Sequence, residues 1–194
     1  MPRPSESAST PQPIDRHTYR NLMRNVPGQV SIIATGEPGN RRGLTASAVC
    51  SLTDLPPTVI VCINRSAAAH DLIIESGVFS VNALAAHQEA VAHAFAGTAG
   101  VSGEQRFETG EWRSGATGVP VLASAVCHLE CRLSEFREAS SHTVFFGHVV
   151  GGSASTEANG LLYVRGGYLG LEEHDDRHAL KASGREAQGT IGEK

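Results

Sequence analysis

Apolar positions in residues 15–26 fall at Tyr19, Leu22, Met23 and Val26, the i, i+3, i+4, i+7 spacing of one helical stripe. Pro27-Gly28 stops that helix. From Gln29 the texture becomes that of strands. Val30-Ser-Ile-Ile-Ala-Thr-Gly36 reads as one strand, Glu37-Pro-Gly-Asn40 as a turn, and residues 43–53 as a returning strand rich in small side chains. Pro56-Pro57 breaks it, and residues 58–64 form a nearly all-apolar buried strand, which together predict an antiparallel meander. Ser66 is suited to cap a helix over 67–76, ended by Gly77. A strand over 78–84 and a second helix over about 87–96 follow, the latter with Val91, Ala92 and Phe95 on its inner face. Residues 97–119 are Gly-rich and read as a loop anchored by Trp112.

The clearest alternation lies in 121–136. Val121, Ala123, Ala125, Cys127, Leu129, Cys131 and Leu133 alternate with mostly polar partners, among them Ser124, His128, Glu130 and Arg132. One face is buried and the other is wet or in contact with something else. Residues 142–150 and 160–169 complete a set of six or seven strands with short helices between some of them. The strand–helix alternation is too irregular for a doubly wound sheet, and most connections are turns. The prediction is a mainly β fold, a closed or partly closed antiparallel barrel. Residues 1–13, rich in Pro and Ser, and 172–194, polar and aperiodic, read as flexible tails around a folded unit over 14–171. No internal repeat is present.

Composition narrows the class of function. Hydrophobic residues make up 40% and charged residues 19% of 194, and the net charge is −4. Nothing in that balance favours nucleic acid or an anionic membrane surface. No apolar leader opens the chain, and the longest apolar run is too short to span a bilayer, so the expected location is the cytoplasm. The four cysteines (Cys50, Cys62, Cys127 and Cys131) lack C-x-x-C spacing, which speaks against zinc. Cys127 and Cys131 lie about 13 Å apart along a straight strand, beyond the roughly 7 Å that a disulfide spans. All four read as buried structural thiols.

Several chemistries lack their signatures. No G-x-G-x-x-G follows a strand, no P-loop or G-x-S-x-G elbow occurs, no H-E-x-x-H is present, and the nine histidines do not fall at metal-ligand spacing. Two segments do carry chemical meaning. Gly43-Leu-Thr-Ala-Ser-Ala-Val-Cys-Ser51 would let a flat ligand approach the backbone, with Thr45, Ser47 and Ser51 offering hydrogen bonds; a strand crossing a tight barrel corner has the same composition. Cys62-Ile-Asn-Arg-Ser66 enters a helix, whose free N–H groups, with Arg65 and the Ser66 hydroxyl, suit a phosphate; an ordinary cap beside a solvated arginine looks alike.

The order of these motifs resembles the flavin reductase family with an FMN-binding split barrel, the short-chain reductase components of two-component flavin monooxygenases. The resemblance runs from Gly43-Leu-Thr-Ala-Ser-Ala48 through Ser51-Leu-Thr-Asp-Leu-Pro-Pro-Thr-Val-Ile-Val-Cys-Ile-Asn-Arg-Ser66 and Ser76-Gly-Val-Phe-Ser-Val-Asn-Ala-Leu84. It continues through Phe95-Ala96, Arg106-Phe107, Gly118-Val-Pro120, the Cys131 strand, His142, Gly147-His-Val149 and Leu162-Tyr163 to Tyr168, covering roughly 150 residues. It implies an antiparallel Greek-key split barrel and a homodimer with flavin near the subunit boundary. Thr45, Ala46, Ser47 and Ala48 would line the isoalloxazine and ribityl chain. Ser51, Cys62, Ile63 and Asn64 would contribute to that pocket, Arg65 and Ser66 would sit near the phosphate, and Arg106 and Phe107 would close over the flavin. His142, Arg165 and Tyr168 would face the nicotinamide nucleotide, with His142 orienting it for hydride transfer.

The implied activity is reduction of FMN or FAD by NADH, with reduced flavin passed to a separate monooxygenase. No cluster of arginines awaits a 2′-phosphate, which favours NADH over NADPH. The sequence leaves FMN against FAD open. No metal is expected. Other readings are a free-flavin reductase serving ferric iron and a non-catalytic flavin-binding barrel. A plain interaction barrel would leave the small-residue strand and the Asn64-Arg-Ser66 turn without a purpose.

Overall fold

A computed structural model describes residues 12–171. The expected tails therefore lie outside the described residues, apart from Gln12 and Pro13. In chain order come α1 (Arg16–Met23), β1 (Gly28–Gln29), β2 (Ser31–Thr35), β3 (Arg42–Ala46), β4 (Val49–Asp54), β5 (Pro57–Asn64), α2 (Ala69–Ser76), β6 (Val78–Ala83) and α3 (Glu89–Ala96). A 3₁₀ turn (Gly103–Glu108) follows, then β7 (Trp112–Ser114), β8 (Pro120–Leu122), β9 (Cys127–Ala139), β10 (His142–Ala154), β11 (Leu161–Val164) and β12 (Gly167–Gly170).

Seven strands form one sheet in the order β3-β2-β6-β9-β10-β5-β4, every pairing antiparallel. Its two edges, β3 and β4, are consecutive in the chain and separated only by Ser47 and Ala48. Three peptide steps reach about 10 Å, so the sheet must curl until its edges nearly meet. The ladder does not close there, and the result is an open, split barrel. The small side chains of 43–51 permit this. The predicted single strand over 43–53 is in fact two, because one continuous strand cannot pair with both edges of the split.

The curl is filled by Ile33, Val59, Val61, Ile63, Phe79, Val81, Cys131 and Phe145, with Ile73 and Ala69 of α2 as a plug. A second apolar cluster lies on the other side of β2, where Val30, Ile32 and Ala34 meet Val91, Ala92 and Phe95 of α3, together with Phe107, Leu122 and Leu161. Strand β2 is thus covered on both faces, and all five of its residues are buried, which is why it reads as a continuous apolar run rather than an alternation. Fully burying each such aliphatic side chain stabilises the fold by about 1.5–3 kcal/mol.

Several expectations need correction. The apolar stripe of α1 faces outward: no residue of that helix is buried, and Tyr19, Leu22 and Met23 are each about half exposed. Ser66 does not cap α2. That helix starts at Ala69 after an Ala68 cap position with no side-chain bond, while the Ser66 N–H and hydroxyl both donate to Asn64 Oδ1 at 2.9 Å. The 121–136 strand is broken by a turn between β8 and β9. The 97–119 loop contains the 3₁₀ turn, clasped by Arg41, whose guanidinium Nε meets Glu104 Oε1 at 2.6 Å and lies 4.5 Å above the Phe107 ring. Of the cysteines, Cys131 is buried, Cys62 and Cys127 are half-buried and Cys50 is exposed, because Cys50 points outward from the edge strand β4. Among the described residues, no helix is long and apolar enough to cross a membrane.

Candidate functional site

The split between β3 and β4 opens onto two adjoining cavities. The larger, about 470 Å³, is lined by Val30, Thr45, Ala46 and Ser47 on one wall, by Glu89, His93, Ala96 and Thr98 on a second, and by Tyr163, Gly166, Gly167 and Tyr168 on a third. The second, about 420 Å³, is lined by Arg42, Gly43, Leu44, Thr45, Ser66, Phe95, Ala96, Ser102 and Arg106, among others. Thr45 and Ala96 border both. The two are lobes of one hollow running along β3, the first framed by tyrosines and the second carrying two guanidinium groups.

The local structure explains the shape. A Cβ on Gly43 would fall 2.7 Å from the Phe95 ring, so glycine lets β3 lie directly on α3. Thr45 Oγ1 donates to Ala92 O at 2.7 Å, and Arg106 donates through Nη1 to Gly43 O and Phe95 O, both at 3.1 Å. The strand and the helix are thereby clamped on either side of the hollow. Ser47 and Ala48 belong to neither ladder, so their N–H groups are not committed to β pairing, and Ser47 borders the first lobe. On the tyrosine wall, Tyr163 and Tyr168 face each other across the β11–β12 hairpin with ring centroids 5.3 Å apart. Tyr168 meets His93 edge-on at 5.0 Å. Burial pushes the Tyr168 phenol up, as do the neighbouring Tyr163 and Glu89, so it stays protonated and can donate a hydrogen bond.

The expected site residues divide into groups. Thr45, Ala46, Ser47 and Tyr168 line the first lobe, and Ser66 and Arg106 line the second. Ala48 sits exposed at the split. Cys62 lies half-buried on β5 with its N–H donating to Ala48 O at 3.0 Å; burial, and then Cys50 nearby, push its thiol up. Ile63 is fully buried in the inner core, so only its backbone could reach a ligand. Ser51 is exposed on β4, away from both lobes. Phe107 is turned inward, 4.9 Å from Phe95 and 5.0 Å from Trp112, and supports the wall from behind.

Asn64 and Arg65 border a further, shallow hollow with His70, Ser140 and Ser141, which meets the second lobe at Ser66 and where Arg65 pairs with Glu138 at 3.2 Å. His142 opens β10 opposite Asn64, exposed, with Nδ1 2.9 Å from Ser141 Oγ, and it lines neither lobe. Arg165 sits in the turn beside the first lobe with φ at +54°, its Nε donating to Asn25 Oδ1 at 3.2 Å. Sequence reasoning did not single out Arg42, Glu89, His93 or Thr98. The i, i+4 spacing of Glu89 and His93 was visible, but nothing along the chain says that this helix face borders a cavity. Among the described residues, no group of three His, Cys, Asp or Glu side chains is placed to hold a metal ion.

Comparison with known proteins agrees with this geometry. The flavin reductase like domain matches residues 23–172. A protein of Ancylobacter novellus named FMN reductase (NADH) RutF is 43% identical over 150 residues, which is 77% of this chain and 82% of that one. The NADH:FAD oxidoreductase SgcE6 of Streptomyces globisporus, solved with NAD and FAD fragments, superposes with a TM-score of 0.75 at 30% identity, covering 88% of this chain and 99% of its own. BorF, the flavin reductase component of a bacterial two-component tryptophan halogenase, gives a TM-score of 0.75 at 28% identity over 82% of this chain and all of its own. The split barrel, the hollow along β3 and a match spanning nearly all the described residues lead to one assignment: the chain belongs to the flavin reductase family.

Proposed function

We propose that this protein uses NADH to reduce flavin and hands the reduced flavin to a separate oxygenase. The observation that carries the reading is the two-lobed hollow, which joins a tyrosine-framed space beside the unpaired break between β3 and β4 to a cationic one. A flat heteroaromatic ring with a phosphate tail matches that division, and the residues present fit it. Arg42, Arg106 and Ser66 would hold the phosphate. The N–H groups of Ser47 and Ala48 would donate to the polar edge of the ring, where negative charge develops on reduction. Tyr163 and Tyr168 would cover the exposed face, exclude water and set the distance at which a nicotinamide ring stacks. Bound flavin supplies the electron-accepting ring, which takes hydride from NADH, and the protein supplies position and charge.

FMN is the first flavin to test, because the 43%-identical relative bears that name. Transfer to a separate partner enzyme is supported by BorF, which is the reductase component of a two-component halogenase. A homodimer is part of the proposal, supported by the apolar side chains that α1 leaves exposed. So is a cytoplasmic location, supported by four free thiols. Because His142 lines neither lobe of its own chain, its proposed contact with the nucleotide requires the homodimer, across which the β9–β10 hairpin would reach.

The test mixes purified protein with NADH and either FMN or FAD in air and follows loss of NADH absorbance. Flavin-dependent loss is expected, and the lower apparent constant names the flavin. Absence of turnover with either flavin, and with NADPH, while flavin still binds, would replace the reading with a non-catalytic flavin-binding protein. In the same assay His142→Ala should raise the apparent NADH constant more than the flavin constant. Unchanged NADH kinetics would remove His142 from the site.

A further inference from the structure

We infer that Glu89 makes the nucleotide site choose NADH over NADPH, by repelling the additional 2′-phosphate. The inference rests on the reductase reading and names the specificity residue of the same site.

The two lobes are electrically unlike. Arg42 and Arg106 line the second, whereas among the described residues no arginine or lysine lines the first and its single carboxylate is Glu89. If the flavin phosphate occupies the cationic lobe and the nicotinamide stacks beneath the tyrosines, the adenosine half of the nucleotide, which carries the 2′-phosphate, would leave the first lobe past the exposed Glu89 at its rim. That carboxylate is 57% exposed at the rim of the lobe, within reach of His93. Its Oε1 lies 3.4 Å from His93 Nε2, and His93 Nδ1 is 2.9 Å from Thr98 Oγ1 while its ring abuts Tyr168. Glu89 is also the first residue of α3 and the acid of its first turn. A negative charge in that first turn opposes a phosphate approaching the positive end of the helix. The charged groups on the opposing hairpin side, Arg24 and Arg165, are tied to that hairpin. Arg24 Nη2 donates to Arg165 O at 3.1 Å, and Arg165 Nε donates to Asn25.

A carboxylate can accept hydrogen bonds from a ribose diol but meets a 2′-phosphate as like charge. Replacing it with an amide removes the repulsion, which favours NADPH. The experiment measures kcat/KM for NADH and for NADPH, with flavin saturating, in the unaltered protein, Glu89→Gln and Glu89→Lys. The unaltered protein should prefer NADH. Glu89→Gln should reduce that preference about tenfold and Glu89→Lys further, the size expected of a partly screened charge a few ångströms away. Raising the salt concentration should narrow the preference of the unaltered protein and leave that of Glu89→Gln nearly unchanged. A preference that stays within twofold in both variants, or an unaltered protein that uses the two nucleotides equally, would overturn the inference alone. An unaltered protein that oxidises neither would overturn the reductase reading, and this inference with it.

Discussion

Glu130 is a carboxylate with only 5% of its surface exposed, and it lies well away from the hollow. It accepts from Ala116 N–H at 3.1 Å and from both Thr117 N–H and Thr117 Oγ1 at 2.7 Å, fastening the turn between β7 and β8 to β9. Burial pushes its carboxyl up, but the bonds from Thr117 and Ala116 and the nearby His128 outweigh that and hold it below the ordinary 4.5. A group lowered in the folded state contributes its stability above the ordinary value and loses it as pH falls through the folded one. Glu130→Gln should therefore cost about 1–3 kcal/mol at pH 7, and the gap from the parent should narrow near pH 3. Urea unfolding at the two pH values checks this; an equal loss at both would show that only packing was disturbed. The alternation along 121–136 predicted that this position leaves the barrel core. It could not show that a turn some thirteen residues earlier folds over the carboxylate, which is a contact made by the tertiary structure.

Between elements, the contact that shapes the site is β3 on α3. It depends on a missing side chain at Gly43 and on Arg106, whose bonds to Gly43 O and Phe95 O bridge strand and helix. In Gly43→Ala the new methyl group meets Phe95 Cδ1 at 2.9 Å and Ile33 O at 3.0 Å. The ring or the strand must then shift, at about 1–3 kcal/mol. A lower Tm with a raised flavin constant is the expected outcome, measured by thermal unfolding and steady-state kinetics. An unchanged flavin constant would mean that the hollow tolerates the shift. The small-residue strand pointed to this place from sequence, where a tight barrel corner and close ligand approach were alternative readings, the corner somewhat favoured by composition. The structure contains both: the strand breaks at the split, and the hollow opens there.

Across the whole molecule, most of the apolar pattern is consumed by the two cores, but α1 is not. Its stripe is as regular as that of any helix in the chain, yet Tyr19, Leu22 and Met23 remain exposed, as do Val26 after it and Leu169 on β12. An amphipathic helix whose apolar face meets water is under-used, and the proposed homodimer would use it. Sedimentation should find twice the 20.4 kDa of one chain, and Leu22→Glu combined with Met23→Glu should shift the mass toward one chain. A 20.4 kDa species in the parent would remove the homodimer from the proposal.

The sequence by itself determined the antiparallel, mainly β order of elements, the strand β2, the apolar strand β5, the inner face of α3 and the small-residue segment at the split. Each of these follows from local periodicity, turn chemistry or side-chain size, which neighbours in the chain are enough to specify. Only the tertiary structure decided that one predicted strand becomes two edges, that Phe107 turns inward, that His142 stands apart from both lobes, and that Glu89, His93 and Arg42 border the hollow. These outcomes depend on which distant segments meet when the sheet curls, and periodicity carries no record of the partner across the fold.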